Sequence, residues 1–133
     1  MYLGDSMPVT TIPVTDLDLA RPFYRDVLGL QLLEENEYAI RFGVNGGAQI
    51  STYKRPPIER GHTTCHFEVA DIEAAVAELR SRGAVFEEYD LPYLKTINGI
   101  APMGPTARGA WLKDPDGNVL GLRQGPIPGM AAK

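Results

Sequence analysis

The side chains able to do chemistry crowd into one stretch, His62-Thr63-Thr64-Cys65-His66-Phe67-Glu68. Two imidazoles spaced H-x-x-x-H share a zinc ion when they ride on a helix, but this stretch reads as a strand. A strand rises about 3.3 Å per residue, so the rings would stand roughly 13 Å apart, too far for one ion with bonds near 2 Å. His62 therefore reads as a solvent-exposed linker residue. Alternation puts Cys65, Phe67 and Val69 on one face and Thr64, His66 and Glu68 on the other. The apolar trio should pack against helices, leaving His66 and Glu68 as the candidate chemical pair. An imidazole there serves as hydrogen-bond donor, general base or lone metal ligand, or is merely tied to a neighbouring carboxylate or backbone group. Cys65 points away from His66, so a Cys–His nucleophile is not expected, and its thiol reads as a small core residue. Trp111 opposes the Ala110/Leu112 face and offers either a flat apolar wall or ordinary core packing. Arg41, between Ile40 and Phe42, presents a cation to an anionic ligand, to solvent or to a dimer partner. Glu87, Glu88 and Asp90 read as a solvated strand edge.

The elements that must position these residues occur twice. Residues 12–29 (IPVTDLDLARPFYRDVLG) and 67–83 (FEVADIEAAVAELRSRG) each run from an apolar strand through Val-x-Asp into a helical stretch that ends in Gly. The triplets Val14-Thr15-Asp16 and Val69-Ala70-Asp71 stand 55 positions apart, room for a whole strand–helix–sheet module. Asp16 or Asp18 can cap the first helix and Asp71 the second, accepting from free N–H groups. The first helix is expected to bury Leu19, Phe23, Val27 and Leu28 and to run regularly from Pro22 to Leu28. The second should bury Ile72, Val76 and Leu79 and run to about Arg82.

Strands are predicted at 8–14, 30–35, 37–43 and 48–53, with Asn45-Gly46-Gly47 as a hairpin turn. In the second half they are predicted at 63–70, 84–89, 109–113 and 118–123, with Asp114-Pro115-Asp116-Gly117 as a type I turn. The charged, proline-containing residues 54–61 read as the linker between modules. Residues 91–108, punctuated by Pro and Gly, have no counterpart in the first half. They read as a lid or binding loop, or else as a dimer contact or passive insertion. Residues 124–133 read as a loose tail.

Composition bounds the function. With 133 residues, 44% apolar and 23% charged, the chain is an ordinary soluble globule that needs neither disulfide nor structural metal to hold its core. A net charge of −4 argues against nucleic acid, which demands a clustered basic face. No membrane span or signal peptide is visible, and the single cysteine fits a reducing cytosol, so a cytoplasmic protein is expected.

VTDLDLARPFYRDVLGL, HFEVADIEAAVAELRSRG and AWLKDPDGNVLGL together resemble the vicinal oxygen chelate superfamily of glyoxalases, bleomycin-resistance proteins and ring-cleaving dioxygenases. The resemblance spans residues 8–123. It implies an α+β fold of two βαβββ modules, 8–53 and 62–123, in a single domain 1–133. Their eight strands would form an open, U-shaped mixed sheet around a cavity, with helices on the outer face. It also implies a divalent metal held by His and Glu, but the matching positions carry Val9, Thr64 and Gly121, with the remaining ligand expected near Gln49–Ser51. None of the three offers a ligand side chain for a divalent ion. The expectation is therefore a metal-independent small-molecule-binding protein of the bleomycin-resistance type with no cofactor. Its ligand would contact Thr11, Arg41, Gln49, Thr64, His66 and Trp111. The resemblance also implies a homodimer. The alternatives are a glyoxalase-like lyase or isomerase that uses His66 and Glu68 with a displaced or reduced metal site, and an interaction module with no small ligand.

Overall fold

A computed structural model describes residues 2–129. The chain forms two compact units that divide between Glu59 and Arg60. In the first, β1 (Thr10–Val14) leads into α1 (Leu17–Pro22), followed by β2 (Gln31–Glu35), β3 (Ala39–Gly43) and β4 (Gln49–Lys54). The sheet order is β1-β4-β3-β2, with β1 parallel to β4 and the other pairs antiparallel. Edge placement accounts for Pro13 in β1, since an edge strand can spare a ladder N–H. Ile12, Val14, Ile40, Phe42, Ile50 and Thr52 are buried together with Leu17, Ala20 and Tyr24 of the helical segment. Tyr24 and Phe42 are fully buried with ring centroids 5.6 Å apart, and each contributes about 2–3 kcal/mol by leaving water.

The first helix differs in phase and regularity from the expectation. Asp16 Oδ1 accepts from the Asp18 N–H at 2.8 Å, so the helix begins at Leu17, and Leu17, Ala20 and Tyr24 share its inner face. Leu19 falls outside and is 58% exposed. Pro22 has no N–H to return to the carbonyl four residues back, so the α-helix stops there instead of starting. Phe23–Val27 widens into a π-type turn closed by the Leu28 N–H on the Phe23 carbonyl at 3.0 Å, and Gly29 leaves it at φ +80°.

The second unit comprises β5 (Thr63–Glu68), α2 (Ile72–Ser81), the short hairpin β6 (Asp90–Leu91) and β7 (Leu94–Lys95), then β8 (Ile100–Met103), β9 (Ala107–Lys113) and β10 (Val119–Gln124). Its main sheet is ordered β5-β10-β9-β8, with β5 parallel to β10, which repeats the first unit's topology. Asp71 caps α2 by accepting from the Ala74 N–H at 3.1 Å, and Ile72, Val76 and Leu79 are buried as expected. The Gly117 N–H closes the Asp114–Gly117 turn on the Asp114 carbonyl at 3.0 Å.

Two expectations for this half are corrected. Residues 84–89 form no strand. β8 already covers Ala107–Ala110 on one edge of β9, which leaves only Trp111–Lys113, where the Glu87 N–H reaches the Trp111 carbonyl and Phe86 makes a single bridge to Leu112. The 91–108 segment is not structureless and does have a counterpart, because β8 takes the place in its sheet that β2 takes in the other. Pro102 disguises it, and the edge position tolerates that proline. Of the expected tail, residues 130–133 lie outside the described residues.

Candidate functional site

Each unit presents one sheet face that its helix does not cover. In the first unit, register aligns Thr11 with Ser51 and Ser51 with Arg41, while Gln49 stands two residues along β4, so all four side chains share a face. The Arg41 guanidinium donates to Gln49 Oε1 at 2.8 Å. Leu33, Glu34, Asn36 and Ala39 join Arg41, Gln49 and Ser51 around a groove of about 260 Å3. Thr11 is exposed and Ser51 nearly buried. Three expected ligand contacts, Thr11, Arg41 and Gln49, thus sit side by side.

In the second unit, Gly121 of β10 aligns with His66 on one side and Trp111 on the other. A Cβ on Gly121 would lie 3.2 Å from His66 Cβ and 3.6 Å from Trp111 Cδ1. Two residues before Trp111, a Cβ on Gly109 would lie 3.0 Å from the indole Cη2 and would collide with Met103 Sδ. The indole ring therefore lies along the sheet over positions that carry no side chain. Tyr89 meets it edge-on, with centroids 5.8 Å apart and planes at 72°. Burial first, then the Glu87 carboxylate, push the Tyr89 phenol above its ordinary pKa, while Lys113 acts in the opposite direction.

A polar row borders this aromatic floor. His66 Nε2 lies 3.1 Å from Glu68 Oε2, and Arg123 donates to Glu68 Oε1 at 2.6 Å and to the Pro126 carbonyl at 3.1 Å. An ionised carboxylate only accepts, so Nε2 carries the hydrogen of the first bond. Arg123 balances the Glu68 charge and fixes the carboxylate that in turn orients His66. The Cys65 Sγ points to the His66 carbonyl at 3.9 Å, not to the imidazole, and burial pushes its thiol above its ordinary pKa. That arrangement makes no nucleophile. His62 precedes β5 as an exposed residue.

Thr64 stands where the register of β5 against β10 slips by one, so Thr63 takes the partner position at Val119 and brings its γ-methyl to 3.5 Å from the Cβ site of Gly121. Sequence reasoning missed Thr63, Tyr89, Met103, Gly109 and Arg123 here. The available signal was glycine within a strand, at 109 and 121, which marks a place where something approaches the backbone closely. Glu88, expected at a solvated edge, accepts from the Gly99 N–H at 2.6 Å.

The positions that the resemblance assigns to metal ligands do not fit an ion. Val9 is half-buried ahead of β1, Thr64 sits at the register slip, and Gly121 lies under His66 and Trp111. Among the described residues no three His, Cys, Asp or Glu side chains converge. Among them, too, no helix is long and apolar enough to cross a membrane.

The family model described as the Glyoxalase/Bleomycin resistance protein/Dioxygenase superfamily matches residues 6–122. No curated protein matches the chain in sequence. Among solved structures, an antibiotic binding protein from Streptomyces sp. CB03234, TnmS3, is similar at 25% identity and TM-score 0.66, covering 92% of this chain and 98% of that one. The genomically encoded fosfomycin resistance protein FosX from Listeria monocytogenes is similar at 14% identity and TM-score 0.71, covering 92% and 95%. A lactoylglutathione lyase from Agrobacterium tumefaciens is similar at 21% identity and TM-score 0.65, covering 96% and 98%. The latter two likenesses concern the fold alone.

Proposed function

Since the chain belongs to the Glyoxalase/Bleomycin resistance protein/Dioxygenase superfamily, we propose that it is a metal-independent small-molecule-binding protein of the bleomycin-resistance type. The observation that carries this reading is the Trp111 indole laid over Gly109 and beside Gly121. Where the family's enzymes place a metal-binding carboxylate, this chain has a bare backbone and an aromatic plane. Such a floor suits a ligand with a flat apolar ring system, held by stacking and by a few placed polar groups. His66 and Thr64 are the polar contacts expected beside this floor, while Thr11, Arg41 and Gln49 form the first unit's own polar row. The similarity to an antibiotic binding protein supports a small-molecule ligand. By family resemblance the protein works as a homodimer, and its one cysteine suits the cytoplasm.

Trp111 is the sole tryptophan, so its emission reports on the site directly. Planar polycyclic compounds titrated into chelator-treated protein should quench that emission saturably and raise the melting temperature. By calorimetry, Trp111→Ala should weaken the best of them at least tenfold. Stoichiometric Zn, Ni, Fe or Mn that survives purification and is lost in His66→Ala would overturn the proposal.

One observation favours a second reading, a glyoxalase-like lyase or isomerase with a displaced or reduced metal site. The imidazole of His66 is held by Glu68 through Nε2 and its side chain is 54% exposed, an arrangement that suits a general base acting through Nδ1. That reading requires turnover that His66→Gln abolishes while binding persists.

A further inference from the structure

On the other side of the second unit, between α2 and β8, lies a groove of about 460 Å3. Its floor and walls are Val76 and Ala77 of the helix and Ile97 and Ile100 of the opposite segment, and an arginine stands at each end, Arg80 and Arg108. The two cations are held differently. Arg108 donates to Glu73 Oε1 at 2.9 Å and to Gln124 Oε1 at 3.5 Å, so its charge is matched within the groove. Arg80 is matched by no acid among the described residues. Its guanidinium lies 5.5 Å from the centre of the buried Phe86 ring and donates one hydrogen bond, at 3.3 Å, to the Asn98 carbonyl.

A tight turn closes on that guanidinium. Asn98 and Gly99 adopt φ +53° and +81° as the two central residues of a type I′ hairpin turn between the paired Ile97 and Ile100, the conformation that Asn-Gly favours. A Cβ on Gly99 would lie 3.1 Å from Arg80 Nη2 and 3.1 Å from Phe86 Cβ, so only glycine lets the 98–99 turn close over the arginine. The Glu88 carboxylate pins this turn through the Gly99 N–H at 2.6 Å. The turn holds the guanidinium at a groove with apolar walls. Ile97, 79% exposed, adds an apolar rim.

From this placement we propose that the groove binds a small organic anion, a carboxylate with an apolar body. The carboxylate pairs with Arg80, and the body lies along Val76, Ala77, Ile97 and Ile100. A planar guanidinium fits a carboxylate through two parallel N–H bonds, and an apolar surround strengthens the pair. Glu73 opposes a second anion at the far end, so one charged group is the limit. The site is separate from the Trp111 floor and does not depend on the function proposed for it.

Octanoate is a suitable probe, with 1-octanol as its neutral counterpart. Backbone amide NMR titration should show saturable shifts at Val76, Ala77, Asn98 and Ile100 with octanoate and none of that size with octanol. Arg80→Gln should weaken octanoate at least tenfold. Ala77→Glu changes an exposed helical position, places a carboxylate in the groove and should also abolish the shifts while the melting temperature holds. Equal shifts with octanol, shifts confined to residues around Trp111, or full binding by both variants would each overturn the proposal.

Discussion

Adding one methyl group at position 109 tests the aromatic floor directly. In Gly109→Ala the new Cβ would meet Met103 Sδ, Trp111 Cη2 at 3.0 Å and Trp111 Cζ2 at 3.1 Å. The three neighbours respond unequally. Met103 is 42% exposed and unbranched, so its sulfur swings into solvent at little cost. The indole is less free, because Tyr89 lies edge-on against it and its stem belongs to a strand paired on both sides. It must tilt away from the sheet by a few tenths of an ångström. Overpacking of this kind costs about 1 kcal/mol when one neighbour can yield. For a domain of this size that corresponds to a melting temperature lower by about 3–5 °C. Binding should suffer alongside stability, because a stacked ligand needs the plane where it now lies. Loss of half the stacking contribution, about 1 kcal/mol, weakens binding by roughly fivefold. Differential scanning fluorimetry, the emission spectrum of the single tryptophan and calorimetric titration together read all three effects. An unchanged emission maximum with unchanged affinity would refute the claim that Gly109 exists to seat the indole.

Two further outcomes follow from polar groups. Asp114 is buried and accepts from the Asp116 N–H at 3.0 Å, the Asn118 N–H at 2.8 Å and Asn118 Nδ2 at 2.8 Å, so Asp114→Ala should strip partners from the β9–β10 turn and cost about 3 kcal/mol, read as a lower urea midpoint at an unchanged slope. Burial raises the Cys65 pKa, so the thiol should resist alkylation at pH 7 until the chain unfolds. The unfolded chain ionises first, so this contribution to stability should be complete below the ordinary thiol pKa and decline as pH rises through the raised one, which a wild-type against Cys65→Ser comparison of urea midpoints from pH 7 upward resolves.

The repeated architecture was legible because its signals are local. Val-x-Asp followed by an apolar period and Gly fixes a strand, a cap and a helix within some fifteen residues, and both caps form as read. What escaped depended on partners distant in sequence. Ile100–Met103 looks like a loop, with Gly99 and Gly104 around it and Pro102 inside, and becomes a strand only because β9 offers it an edge. Residues 84–89 alternate like a strand but find most of that edge occupied. The phase of α1 turned on which of two aspartates caps it. At the candidate site, the common face of Thr11, Arg41 and Gln49 and the neighbouring placement of His66 and Trp111 followed from alternation and pairing. The register slip at Thr64 and the reach of Arg123 to Glu68 were not legible, because period two carries no information about a bulge or about a long side chain's end point.

The parallel pairing of first with last strand also sets an order of events during synthesis. Thr10 waits for Ile50, and Thr63 waits for Val119, before either sheet can close. Such long-range closure is entropically late, and folding slows as sequence separation grows. The first unit's sheet has all its strands by Lys54, before the second unit's first strand has been made. A ribosome can therefore release one finished sheet ahead of the other, and the risk of pairing β1 with the twin of its proper partner falls with every second that β10 is delayed.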